Sequence, residues 1–79
     1  MMKTMTCKQL GGACDLEFHA NSFEDLSEMS KKHGIEMFDK ADEEHLEAMD
    51  KMKDLMQNPG ATKEWIENKK KEFDELPED

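Results

Sequence analysis

The chain has 79 residues, enough for one domain, and carries 20 Asp and Glu against 11 Lys and no Arg, for a net charge of −9. Only 35% of its residues are apolar and 39% are charged, so the core must be small, which excludes a multidomain enzyme or a fold of several βαβ units and leaves little room for a deep substrate cleft. No apolar run approaches the ~20 residues of a membrane span, and an acidic chain without arginine is a poor match for phosphate backbones or base edges.

The first twenty residues differ in kind from the rest. Met2-Lys3-Thr4-Met5-Thr6-Cys7 alternates apolar and polar residues, a strand signal. Gly11-Gly12 permits a tight connection, and Cys14 to His19 alternates again, with Cys14, Leu16 and Phe18 on one face and Asp15, Glu17 and His19 on the other. A β-hairpin over residues 1–20 is expected. Its β-branched content is low, so it must pack on something to be stable. The segment also lacks the apolar stretch of a secretory signal, so a cytoplasmic, reducing setting is expected.

The remainder reads as helix. Asn21 with Glu24 has capping-box spacing, and Phe23, Leu26, Met29 or Ser30, His33 and Met37 mark one helical face. Gly34 lies inside that pattern, where it can loosen or kink a helix. A second stripe runs Phe38, Ala41, His45, Ala48, Met49, Met52, Leu55 and Met56, and Asp42 can cap it, with Glu43 and Glu44 in the first turn. Two antiparallel helices over 22–39 and 43–57 are expected, the alternative being one long kinked helix across 22–57. Asn58-Pro59-Gly60 stops the second helix, and Thr62 can cap a third over 62–76, with Trp65, Ile66, Lys69, Phe73 and Leu76 on one face. The fold class is therefore α+β: a two-stranded hairpin on a bundle of two to three helices, in one domain spanning 1–79.

The residues that carry chemistry are few. Cys7 and Cys14 flank the glycine turn and come near each other in a hairpin; they read as buried thiols, as a disulfide, which a reducing setting disfavours, or as thiolate ligands for zinc or another soft metal. Their spacing is not that of a CxxC redox or zinc motif. His19 falls on the strand face opposite Cys14, which argues against it as a co-ligand unless a bulge redirects it. His33 and His45 each lie on an apolar helical stripe, where a histidine bonded to a backbone carbonyl is the common case and a ligand is the sharper one. In one continuous helix these two would stand about 18 Å apart and could not share an ion; in an antiparallel pair they approach. Eight methionines supply adaptable core filling, or soft thioethers such as Met37, Met1, Met2 and Met5, or a surface for a partner helix. No nucleophile elbow, phosphate loop or paired buried carboxylate marks an enzyme.

The run Cys7-Lys8-Gln9-Leu10-Gly11-Gly12-Ala13-Cys14-Asp15, followed by Phe18-His19-Ala20-Asn21, resembles the opening of a domain-of-unknown-function family of small bacterial proteins described as predicted small metal-binding proteins. The likeness extends through His33, Asp42 with His45, Asn58-Pro59, Trp65, Lys69, Phe73 and Glu75-Leu76-Pro77, nearly the whole chain, as in the longer members of that family. It implies a short cytoplasmic α+β protein with cysteine and histidine ligands and no established reaction. By residue it implies Cys7, Cys14 and His33, together with His19 and His45. Shorter members place two histidines four residues apart on the helix, and here Met37 stands at the second position. The function expected is non-enzymatic metal binding, with zinc as the first ion to test. The alternative is a Met-rich module that docks a second copy or another protein, its cysteines incidental; a cytosolic thiol sensor is a third reading.

Overall fold

A computed structural model describes residues 2–79; Met1, one of the expected soft donors, lies outside the described residues. The order is strand β1 (Lys3–Thr6), a 3₁₀ turn (Lys8–Leu10), strand β2 (Glu17–Ala20), and helices α1 (Phe23–Asp39), α2 (Glu43–Met56) and α3 (Pro59–Glu75). The expected α+β class, a hairpin at the N-terminus followed by helices, is the fold observed.

The strands pair antiparallel, with Met5 opposite Phe18 and Thr4 opposite His19. Met5, Phe18 and Ala20 face inward and are buried, while Glu17 and His19 face out. The strands are shorter than the alternation suggested. Cys7 and Cys14 both lie in the connection, and Leu16, expected on the apolar face, precedes β2 and is exposed. That connection is not a tight glycine turn. Thr6 and Gln9 exchange bonds, Thr6 N–H to Gln9 Oε1 at 2.8 Å and Gln9 N–H to Thr6 Oγ1 at 3.2 Å, which closes a capping box on the 3₁₀ turn. Gly11 then takes φ +91°, a left-handed value open to glycine.

Helix α2 begins at Glu43, as the sequence placed it, whereas α1 and α3 begin elsewhere. Ser22, not Asn21, caps α1 by accepting from Asp25 N–H. Asn58 caps α3 by accepting from the amides of Gly60 and Ala61, with Pro59 in the first turn, so the segment that ends α2 also starts α3, well before Thr62. Gly34 does not interrupt α1.

The corner between α1 and α2 resolves the one-helix alternative. Ala41 has φ +55°; its N–H bonds Phe38 O at 3.0 Å, and Asp42 N–H bonds Met37 O at 3.1 Å. These are the two bonds of a Schellman stop, made here with alanine where glycine is usual. Asp42 closes that motif and at once caps α2 by accepting from His45 N–H. Because one residue serves both helices, the chain reverses within a few residues and sets the face of α2 against that of α1.

The core comprises Met5, Cys7, Phe18, Ala20, Leu26 and Phe73, with Leu10, Cys14, Phe23 and Leu76 packed against it. Phe23 and Phe73 meet edge to face at 6.1 Å, which ties α3 to the start of α1. Lys3 reaches from β1 to the end of α3, donating to Phe73 O at 3.2 Å and Asp74 O at 2.8 Å. Phe73 O already accepts from Leu76 N–H at 3.1 Å, and the cation adds a second bond there and opposes the negative end of the helix. The expected Phe38 and Ile66 positions are exposed, so those stripes are only partly used.

Candidate metal centre

Three elements converge on one point. The loop after β1 contributes Cys7 and Cys14, α1 contributes His33, and α2 contributes His45. One donor atom from each of the four lies within 4.8 Å of every other. Cys7 Sγ stands 3.6 Å from His45 Nε2, and Cys14 Sγ stands 3.3 Å from His33 Nε2. The imidazoles meet edge to face at 5.2 Å, and Phe18 packs on His33 at 5.7 Å. Cys7, His33 and His45 are buried and Cys14 is partly so.

Local structure explains how the loop aims its sulfurs. Lys8 N–H bonds Cys14 O at 2.9 Å, Cys7 N–H bonds Leu16 O at 2.8 Å, and Gly12 N–H bonds Cys7 O at 2.8 Å, so the loop folds back over Cys7. A Cβ on Gly12 would fall 2.1 Å from Cys7 Sγ. The sulfur therefore occupies space that only glycine leaves free. Both cysteines are free thiols, so the disulfide alternative is not what the structure contains.

The donor set passes a test of fit for zinc. Bonds of ~2.3 Å to sulfur and ~2.0 Å to nitrogen at tetrahedral angles give an S···N edge of about 3.5 Å. The two close S···N separations, 3.3 and 3.6 Å, bracket that edge. Among the described residues neither Nε2 bonds a backbone carbonyl, the usual partner of a structural histidine; each faces a sulfur.

Asp42 completes the arrangement behind His45. Its Oδ2 accepts from His45 Nδ1, which leaves Nε2 free to face the sulfurs. This contact holds the imidazole above its ordinary pKa, with Cys14 adding to the rise and burial opposing it. The same contact lowers the Asp42 carboxyl. Such a carboxylate–histidine pair fixes the ring and makes its outer nitrogen a stronger donor. Sequence reasoning took Asp42 as a helix cap only. The signal was present in its position three residues before His45, which puts both on one side of the first turn.

His19 does not join the cluster. It sits on the outer face of β2, with Nδ1 2.8 Å from Thr4 Oγ1 and 3.2 Å from Asp79 Oδ2. Strand alternation gave this outcome. Met37 is half-buried on α1, and Met5 is enclosed in the core. No helix among the described residues is long and apolar enough to cross a membrane.

Comparison with protein families, curated proteins and solved structures finds no match to this chain.

Proposed function

We propose that this chain is a small non-enzymatic metal-binding protein that holds one zinc ion through Cys7, Cys14, His33 and His45. The observation that carries the proposal is the convergence of four donors, from a loop and two helices, within 4.8 Å of one another. Two thiolates and two neutral imidazoles balance the charge of a divalent ion and suit its tetrahedral preference. Other soft ions compete for such a set, and zinc is favoured by the mixed nitrogen and sulfur donors. The likeness of the Cys7–Asp15 segment to the predicted metal-binding family supports the same reading. A reducing compartment, which keeps both sulfurs as thiols, is the setting it requires.

Binding would also serve the fold. The apolar core is small, and an ion held by α1, α2 and the loop joins elements that otherwise share few buried side chains; its binding free energy adds to folding. The Met-rich docking alternative draws less support: Met5, Met37, Met49 and Met52 are buried or half-buried within the chain itself, which leaves Met2, Met29 and Met56 exposed.

Native mass spectrometry before and after chelation, with elemental analysis, tests the proposal. One zinc per chain, lost in Cys14→Ser and His45→Ala, is the expected result. A metal-free protein that takes up no zinc when it is supplied would overturn it.

A further inference from the structure

A cavity of about 200 Å³ opens beside the donor cluster, and Cys7, His33 and His45 form part of its wall. Three of the four glycines of the chain, Gly11, Gly12 and Gly34, line the same cavity. The rest is mostly apolar, with Ala48, Met49 and Met52 facing it from α2. A structural zinc site is usually closed on all sides. Here the buried donors of three elements border a space that holds about seven waters at ~30 Å³ each, comparable in size to a small organic thiol.

The two histidines are held differently. His45 is anchored through Nδ1 by Asp42, whereas no group among the described residues bonds Nδ1 of His33. His33 is thus the less tethered of the two imidazoles. The neighbouring surface carries Glu44 and Glu47 against Lys8 and Lys51, so its charge is locally balanced although the whole chain is acidic. The apolar wall of Leu10, Ala48, Met49 and Met52 disfavours a charged visitor. A neutral molecule with a soft donor is suited to it.

Resting on the zinc reading above, we propose that this cavity is an exchange port in which a low-molecular-weight thiol replaces His33 and carries zinc into or out of the site. The thiol enters as RSH. Its sulfur–zinc bond forms as the bond to His33 Nε2 breaks and the thiol proton leaves to buffer; further thiols then displace His45, Cys14 and Cys7, each entering sulfur giving up a proton and each departing cysteine thiolate taking one up, so no electrons are gained or lost. The reverse step loads the protein. Met49 and Met52 serve as the apolar wall, and the glycines keep the passage open by lacking side chains.

The test is the rate at which zinc-loaded protein gives its ion to an excess of a chromogenic anionic chelator, with and without 2-mercaptoethanol. The parent is expected to transfer zinc at least tenfold faster when the thiol is present. Ala48→Leu fills part of the cavity from a helical position that leucine suits, and should reduce the acceleration below twofold while equilibrium zinc affinity stays within about threefold. Gly34→Ala intrudes by one methyl, 3.8 Å from Met49 Cε, and should give an intermediate acceleration. Circular dichroism of the metal-free variants verifies that they fold. Equal acceleration in parent and both variants, or none in the parent, overturns the port while leaving zinc binding intact. Failure of the parent to bind zinc overturns the underlying reading instead.

Discussion

Replacing Gly12 with alanine adds one methyl group and should abolish tight zinc binding without removing a single donor. The new Cβ would lie 2.1 Å from Cys7 Sγ and 3.0 Å from Cys7 O. Ordinary contact needs ~3.5–4 Å, so the sulfur must retreat by about 1.5 Å or more. Retreat of the backbone would break the 2.8 Å bond from Gly12 N–H to Cys7 O. Retreat by a change of side-chain rotamer carries Sγ roughly 3 Å, out of the cluster. Either displacement far exceeds the ~0.2 Å tolerance of a metal–ligand distance. Zinc affinity should fall by at least about 100-fold, beyond the range attributed to losing an outer hydrogen-bond partner. Competition with a chromogenic chelator measures the affinity, and cobalt substitution reports whether sulfur remains bound. Gly34→Ala is the control: its Cβ meets Met49 Cε at an ordinary 3.8 Å, and relief of a helix-interior glycine should stabilise the protein by ~0.5–1 kcal/mol. If Gly12→Ala binds zinc within threefold of the parent, Cys7 Sγ does not sit against Gly12, and the four-donor site is refuted.

Asp42→Asn keeps a competent helix cap but removes the carboxylate behind His45, so affinity should drop ~10–100-fold with little loss of helix content; isothermal titration and circular dichroism read the two effects separately. Free zinc at 100 times its dissociation constant should stabilise the fold by ~2.7 kcal/mol, and at ~4–8 °C per kcal/mol for a domain of this size the melting temperature should rise by roughly 10–20 °C, an increase that a chelator reverses. Ala41→Gly relieves a left-handed alanine and should raise stability by ~1 kcal/mol in denaturant titrations. Thr4 and His19 hold the Asp79 carboxyl below its ordinary value, so this contact stabilises the fold above the unfolded pKa of 3.8 and its contribution is lost as pH falls through the lower folded value. In metal-free protein, Asp79→Asn should therefore flatten the acid limb of a melting-temperature profile; an unchanged limb would mean the contact does not form in solution.

Much of this was legible because the helices announce themselves. The three-to-four-residue stripes placed Leu26, His33, His45 and Phe73 on inner faces, where the structure has them. Asp42 signalled a new helix, and the reversal there turned two histidines that would stand far apart on one rod into rings 5.2 Å apart. The loop was harder. Cys7 and Cys14 were expected to converge through a tight hairpin turn; they converge instead through a 3₁₀ turn whose capping by Gln9 is a side-chain event invisible to period-two alternation. Gly12 reads as half of a tight glycine connection, yet its place depends on a sulfur five residues earlier, a packing relation with no local sequence pattern. The cap at Asn58 was missed because Pro59 and Gly60 read as breakers, although proline in the first turn is also a helix-start signal.

The farthest-separated donor contact, Cys7 with His45, spans 38 residues, and α3 supplies none of the four donors. During synthesis the complete set therefore leaves the ribosome before Asn58 and everything after it. An ion captured at that stage would fasten α1, α2 and the loop in a chain that still lacks Phe73 to close its core. Metal supply, and not only chain completion, would then govern when a newly made molecule becomes resistant to proteolysis.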